Sequence, residues 1–236
     1  MILYSFRRCP YAMRARLGLH LSSLNPDVRE IILKNKPTQM LETSPKGTVP
    51  VLVVNPQQDN TINNTNSNEQ VLEESLDIFN FALNQYPTSN YEYLCKEDYQ
   101  VLINSLDSSD ARALIEQNDS EFKSWLDKYK YADRHLEHSE EYYREKACKF
   151  IVLLESKLAQ SQHLFADSPS YADFAIFPFV RQFAHVNKIW FEQSPYPRVR
   201  QWLTGHIESI LFQEVMCKYP LWLDDIEQQT KLKSSS

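Results

Sequence analysis

The chain has 236 residues, of which 42% are hydrophobic and 24% are charged. This length accommodates two domains, and the composition excludes a disordered polymer because it can bury a sizeable core. The formal net charge of −6 argues against general binding to nucleic acid or to an anionic membrane.

The first 85 residues alternate between short apolar runs and helical patterns. The runs predict strands at 1–6, 28–33, 50–55 and 69–74, and the patterns predict helices at 10–22, 38–43 and 75–85. The order β-α-β-α-β-β-α favours a parallel pair of strands with an antiparallel hairpin at one edge. We therefore predict an α/β domain over residues 1–85.

The remaining sequence has a helical pattern. It begins after the Pro/Ser/Asn stretch at 86–91, whose composition predicts a linker between two domains. Helical patterns then cover 92–118, 119–130, 139–160, 170–188 and 197–217, without a strand pattern. This predicts an all-α domain over residues 92–236. Between the two hairpin strands, the polar, asparagine-rich stretch 55–68 predicts a surface loop without a function of its own.

One helix start is well defined by the stretch SPSYADFAIFPF. Ser170 is placed to cap the helix and Asp173, three residues later, is placed to bond back to it. An aspartate among apolar residues also suits acid–base catalysis, but capping accounts for it fully. We expect Asp173 to be structural.

The four cysteines are widely spaced and contain no CxxC pair. This excludes a disulfide framework or a zinc ribbon and favours a reducing compartment, so we expect a cytoplasmic protein. No signal-peptide order and no apolar run long enough to span a membrane are present. The six histidines show no metal-ligand spacing, so we expect no metal site.

Cys9 stands apart from the other cysteines because it follows a predicted strand and begins a predicted helix. Pro10 suits the first helical position, and the sulfur is then expected to face the unpaired N–H groups of the first turn. Such a setting, with arginines nearby, lowers the pKa of a cysteine from ~8.5 towards ~3.5–7.5. The alternative for Cys9 is a small apolar filler, and the arginine cluster itself is expected to form a solvated face.

Ala12 occupies the position where a CxxC enzyme has its second thiol. A mixed disulfide on Cys9 would therefore be released by an external thiol, and a small abundant one is expected.

Four motifs occur in the order found in one enzyme family: CPYAMR around Cys9, KNKP (34–37), GTVPVL (47–52) and LEESLDI (72–78). The chain resembles the cytosolic glutathione transferases, and most closely the cysteine-type omega class. The helical half with its capping motif resembles that family as well. The resemblance implies a thioredoxin-like α/β domain followed by an all-helical domain, with glutathione as co-substrate, no metal, and a homodimer.

The resemblance also implies the residues of the site. Cys9 would be catalytic, Val49 would offer its backbone to the cysteinyl part of glutathione, and Pro50 would be cis. Glu74 and Ser75 would hold the γ-glutamyl end, and Lys36 would reach the glycyl carboxylate. Tyr11 either flanks the pocket or packs on the first helix.

Three functions remain open at this point. The leading one is a glutathione-dependent transferase that performs thiol transfer, deglutathionylation or dehydroascorbate reduction through a Cys9 mixed disulfide, on a small electrophilic or disulfide substrate. The alternative is a non-catalytic, glutathione-binding regulatory module on the same fold. A lyase or isomerase that activates glutathione at the same site is the third.

Overall fold

A computed structural model describes residues 1–54, 70–86 and 91–223. The asparagine-rich stretch 55–68 and most of the 86–91 linker lie outside the described residues. The described residues group into two compact units. The first comprises those within Met1–Thr88 together with 214–223, and the second comprises those within Ser89–Gln213.

The first unit contains a four-stranded mixed sheet. Its elements in chain order are β1 (Ile2–Ser5), α1 (Pro10–Leu21), β2 (Asp27–Glu30), α2 (Thr38–Thr43), β3 (Val51–Val54), β4 (Gln70–Leu72) and α3 (Ser75–Gln85). The strand order is β2-β1-β3-β4, with β1 and β2 parallel and the two other pairs antiparallel. The predicted parallel pair and the predicted antiparallel hairpin are both confirmed.

The sheet separates two apolar clusters because successive side chains of a strand point to opposite faces. Leu3 and Leu52 pack with α1 and α3 on one face, around Ile78. Tyr4 and Val51 pack on the other face in a cluster that includes Met40 of α2. The sheet therefore holds the starts of α1 and α3 on the same side.

Helices α1 and α3 approach each other closely at Gly18. A Cβ atom added to Gly18 would lie 2.7 Å from the Cα of Phe79 and 2.9 Å from two atoms of its ring. Only glycine fits there, since real Cβ contacts are almost never so short. This contact fixes the distance between the two helices whose first turns border the candidate site.

The second unit is helical throughout its described part, apart from its connecting turns. Its α-helices are α4 (Lys96–Ser105), α5 (Ser109–Gln117), α6 (Lys123–Lys130), α7 (Glu140–Lys157), α8 (Tyr171–Ala184), α9 (Lys188–Gln193), α10 (Pro197–Glu208) and α11 (Ile210–Val215), the last two residues of which group with the first unit. A π-helical turn, Asn118–Phe122, joins α5 to α6, so the predicted break at 118–119 is wrong. No helix of the described residues is both long enough and apolar enough to cross a bilayer.

Three predicted helices are too long because each contains an internal capping residue. The caps are Ser108, Asn187 and Ser209, whose side chains accept hydrogen bonds from the backbone N–H groups of Ala111, Trp190 and Phe212, respectively. A side-chain oxygen that satisfies a first-turn N–H starts a new helix and allows the chain to turn. The predicted helices 92–118 and 197–217 are therefore each two shorter ones, whereas the predicted helix 170–188 ends at Ala184 and α9 extends beyond it to Gln193.

The predicted capping box at the start of α8 is confirmed. The Asp173 carboxylate is fully buried and accepts hydrogen bonds from the Ser170 N–H at 2.8 Å and the Ser170 hydroxyl at 2.5 Å. Its other oxygen, Oδ1, accepts from the Leu164 N–H at 3.0 Å and the Trp202 indole N–H at 2.7 Å. Asp173 thus joins α8, α10 and the segment that precedes α8.

Residues 214–223 differ from the expectation that residues 92–236 form one helical domain. They group with the first unit, where Leu221 pairs in parallel with Glu30 at the outer edge of β2. The Trp222 N–H donates to the Glu30 carbonyl at 2.8 Å, and the Arg29 guanidinium lies 4.5 Å from the Trp222 ring centre. An edge strand leaves backbone groups unpaired, and this segment satisfies some of them.

Candidate functional site

Cys9 lies at the N-cap of α1, directly after the turn that follows β1. Its backbone is extended, with φ −76° and ψ 124°, and Pro10 occupies the first helical position. The residue is half-buried, and none of the four cysteines, all of which are described, forms a disulfide. The thiol is therefore placed at a helix start and open to reaction.

The Cys9 sulfur contacts the loop before β3. The Sγ atom lies 3.8 Å from the Val49 carbonyl oxygen, to which the thiol donates a weak hydrogen bond. The Val49–Pro50 peptide is cis, as predicted. The sulfur accepts no capping hydrogen bond from the first turn of α1, which differs from the expectation for this helix start.

Two of the nearby arginines are buried, so the expectation that the cluster forms a solvated face is wrong for them. Arg14 is 0% exposed and Arg16 is 2% exposed, whereas Arg8 is exposed. Arg14 donates from Nη1 to the Ser75 hydroxyl at 3.3 Å and so connects α1 to the start of α3. The CPYAMR motif contained Arg14, but its spacing alone did not distinguish a buried arginine from a surface one.

Arg16 is a buried cation beside Cys9 and Glu30. It donates from Nη2 to the Arg7 carbonyl at 2.8 Å, while its Nε and Nη1 atoms have no hydrogen-bond partner among the described residues. Burial lowers the pKa of Arg16 to about 10, against the attraction of Glu30 and of Cys9. The guanidinium remains charged at neutral pH, and the same attraction stabilises a Cys9 thiolate.

Glu74 and Ser75 lie side by side at the start of α3. Glu74 is the N-cap residue and is exposed, with an ion pair to Lys46, while Ser75 is buried. The first-turn N–H groups of α3 make this an electropositive end that suits a carboxylate. Lys46 was not singled out in the sequence, because nothing in its spacing indicates contact with Glu74.

Lys36 and Tyr11 lie on the two flanks of these groups. Lys36 is half-buried beside Gly47, where its Nζ atom would be 3.6 Å from an added Cβ. Tyr11 is half-buried in the first turn of α1, with the Arg14 guanidinium 5.7 Å from its ring centre. The first unit alone therefore contains all seven predicted site residues, and hydrogen bonds join Cys9 to Val49 and Arg14 to Ser75.

Comparison with known families gives these positions a context. The model of the glutathione S-transferase N-terminal domain matches residues 3–90, and the model of the glutathione S-transferase C-terminal domain matches residues 144–205. Together the two matches cover more than half of the chain. The chain belongs to the glutathione S-transferase family. The resemblance inferred from the four motifs is therefore confirmed.

Relatives of this chain include members of the omega class. Glutathione S-transferase omega-1 from Rattus norvegicus is 32% identical over 95 residues, which cover 40% of this chain and 37% of the relative. The match thus spans less than two fifths of the relative's length. It lends support to the omega-like resemblance at the level of the family.

Solved structures share the fold of this chain. A glutathione transferase family member from Pseudomonas fluorescens, with two glutathione bound, matches with a TM-score of 0.70, 14% identity and 91% of each chain. Glutathione transferase Omega 2C from Trametes versicolor matches with a TM-score of 0.67 and 18% identity, over 99% of this chain and 97% of the other. The predicted fold class, a thioredoxin-like α/β domain followed by an all-helical domain, is confirmed.

Proposed function

We propose that this protein is a glutathione-dependent thiol transferase of the cysteine type, which reduces disulfides and glutathionylated thiols through a Cys9 mixed disulfide. The observation that carries the proposal is the position of Cys9. Cys9 is half-buried and is the N-cap residue of α1. Its sulfur lies 3.8 Å from the Val49 carbonyl oxygen and interacts electrostatically with the buried guanidinium of Arg16. A thiolate at such a place is a strong nucleophile.

Glutathione has an ammonium group and two carboxylates, and the residues near Cys9 offer complementary charges. In our proposal the Val49 backbone pairs with the cysteinyl part, beside cis-Pro50. The start of α3 at Ser75 takes the γ-glutamyl carboxylate, and Glu74 takes the ammonium. Lys36 pairs with the glycyl carboxylate.

Lys46 has a consequence for how glutathione would enter. Both partners of its ion pair with Glu74 are exposed: 45% of the Lys46 side chain and 62% of the Glu74 side chain are accessible to solvent. Such a surface pair is worth only ~0–1 kcal/mol. The glutathione ammonium can therefore replace Lys46 on Glu74 at little cost, and the released lysine can pair with the γ-glutamyl carboxylate.

Arg14 and Tyr11 act as positioning residues in this proposal. Arg14 is fully buried and holds the Ser75 hydroxyl, so it fixes the start of α3 relative to α1, which carries Cys9. Tyr11 covers the outer side of the Arg14 guanidinium. A rigid distance between Cys9 and Ser75 sets where the sulfur of a docked tripeptide comes to lie.

The proposed reaction has two steps. The Cys9 thiolate attacks the glutathione sulfur of a mixed disulfide R–S–S–G. A bond forms between the Cys9 and glutathione sulfurs while the original S–S bond breaks, and R–S⁻ leaves and takes a proton from solvent. A second glutathione thiolate then attacks the glutathione sulfur on Cys9. Glutathione disulfide forms and the Cys9 thiolate is regenerated.

Ala12 explains why the second step uses an external thiol. A thiol three residues after Cys9 would close an internal disulfide, and this chain has no such group. Dehydroascorbate is a second acceptor class for the same site, since two glutathione molecules supply the two electrons and leave as glutathione disulfide. The absence of disulfides among the four cysteines is consistent with the cytoplasm as the location we propose.

The test compares two cysteines at helix starts. Cys95 is the N-cap of α4, but acidic residues follow it: although the Asp98 N–H lowers the pKa of Cys95, contacts with the Asp98 and Glu97 side chains raise it overall. We expect Cys9→Ala to lose the reduction of a glutathionylated peptide completely. We expect Cys95→Ala to retain it.

Retention of the protein on immobilised glutathione separates the alternatives. A wild-type protein that is retained but reduces no glutathionylated peptide would support the regulatory module instead. Undiminished turnover by Cys9→Ala would overturn the proposed mechanism. Light scattering of the purified protein would test the homodimer that the resemblance implies.

A further inference from the structure

A second chemical cluster lies in the helical unit, made of His163, Asp173 and His206. His163 precedes α8, Asp173 lies in the first turn of α8, and His206 is in α10. Each offers one ligand atom, and these three atoms all lie within 4.8 Å of one another. The sequence did not indicate this cluster, because the histidines are far apart in the chain and only the fold brings them to Asp173.

The two imidazole nitrogens face the carboxylate without forming a hydrogen bond to it. His163 Nδ1 lies 3.5 Å from Asp173 Oδ1, and His206 Nε2 lies 4.0 Å from the same oxygen. Neither nitrogen has a hydrogen-bond partner among the described residues. His206 is only 7% exposed, so its unpaired nitrogen is a buried polar atom that needs an explanation.

The charge of Asp173 is also incompletely balanced. Its carboxylate is fully buried, and its ion-pair partners in the described part of the chain are the two histidines. A buried carboxylate is normally paired with a cation or coordinates a metal.

The cluster borders open space. His163, Trp202 and His206 line a cavity of about 800 Å³ that lies within the helical unit. The two histidine nitrogens are themselves buried, so an ion from the cavity reaches them after side-chain shifts, and the cavity has room for a water molecule as a further ligand.

We propose that His163 Nδ1, His206 Nε2 and Asp173 Oδ1 form a binding site for a zinc-type divalent transition metal, with water from the cavity as the fourth ligand. Two imidazoles and one carboxylate are a donor set that Zn²⁺ and Co²⁺ accept in tetrahedral geometry. With metal–ligand bonds of ~2.0–2.1 Å, the donor atoms of such a site lie about 3.4 Å apart. The observed 3.5 and 4.0 Å are close to that value, so small side-chain shifts complete the site.

The hydrogen bonds of Asp173 fit this arrangement. Oδ2 is held by Ser170, and Oδ1 accepts from Leu164 N and from the Trp202 indole. An ion at Oδ1 replaces the indole hydrogen bond, because Trp202 borders the cavity whereas Leu164 donates from the fixed backbone. The remaining bonds keep the carboxylate oriented towards the two imidazoles.

The experiment titrates the full-length protein, stripped with a chelator, with Zn²⁺ by calorimetry and with Co²⁺ by absorption. We expect one equivalent to bind, with visible cobalt bands typical of nitrogen and oxygen ligands and without a thiolate charge-transfer band. His163→Gln and His206→Gln should each weaken binding by at least about tenfold. His138→Gln, which removes an exposed histidine stacked on Tyr142, is the matched control and should bind as the wild type does.

His163→Gln and one additional variant, Cys9→Ala, keep the outcome decisive. His163 is partly exposed, at 22% of its side chain, so His163→Gln remains informative if His206→Gln does not fold. Cys9→Ala should bind the metal normally, which makes the test independent of the proposed thiol transfer. No stoichiometric binding, a thiolate band, or equal binding by His163→Gln and His138→Gln would overturn the proposal.

Discussion

The substitution Gly18→Ala tests the contact that sets the spacing of α1 and α3. The new Cβ atom would lie 2.7 Å from the Phe79 Cα and 2.9 Å from its ring, roughly 1 Å inside an optimal carbon–carbon contact. Overpacking of this kind costs ~1–3 kcal/mol, and the upper end applies because one of the atoms is backbone. Alanine regains about 1 kcal/mol of helix propensity. The free energy of unfolding should therefore fall by about 2 kcal/mol.

The matched control is Gly205→Ala, the same change in the last turn of α10. An added Cβ at Gly205 meets no atom within 4 Å, so only the propensity gain remains, and stability should rise by up to about 1 kcal/mol. Urea unfolding followed by circular dichroism measures both changes, and hydrogen exchange of α1 peptides assigns the Gly18 effect to the first unit. Gly18→Ala should also weaken glutathione binding, because it moves Cys9 relative to Ser75. A Gly18→Ala protein as stable as the wild type would refute the close approach of the two helices.

Three other predictions concern buried ionisable groups. Asp173→Asn removes the charge and turns one of the two accepting oxygens into an NH2 donor, which faces the N–H donors that the carboxylate now satisfies. The free energy of unfolding in urea should fall by about 2 kcal/mol; a loss below about 0.5 kcal/mol would count against the box. Arg16→Met should slow alkylation of Cys9 at neutral pH about tenfold, while the exposed control Arg8→Met changes it less than about twofold; equal effects would exclude a special role of the buried charge. His206 has its pKa lowered by burial from 6.5 to about 4, so only the unfolded chain binds this proton between those values. The stability of the metal-stripped protein should fall by up to about 3 kcal/mol as the pH drops from 6.5 to 4, and His206→Gln should lack most of this slope.

The sequence allows the first unit to be predicted well because its signals are local. Strands β1 and β3 are short apolar runs, and α2 and α3 begin and end where their patterns do, whereas β2 (DVRE) begins before the predicted apolar run and ends within it. The capping box at Ser170 was also predictable because it depends on residues three apart, and the cis peptide before Pro50 was implied by the family resemblance. Such local patterns form the same elements in the folded protein.

The features that were missed depend on contacts between distant residues. Arg14 and Arg16 have the charge of a surface residue, and only the packing of α1 against α3 and Glu30 shows that they are buried. The break at Ser108 was missed because serine is also tolerated inside a helix. The approach of His163 and His206 to the same carboxylate is likewise invisible in their spacing.

The pairing of Leu221 with Glu30 has a consequence for synthesis of the chain. The N-terminal sheet leaves the ribosome early, but the segment that covers its β2 edge is translated only after the whole helical unit. A nascent chain therefore carries an unprotected edge for most of its synthesis, and such edges recruit other strands. Expression of the N-terminal unit by itself would make that temporary hazard permanent, unless residues 214–223 are supplied as a fused or separate peptide.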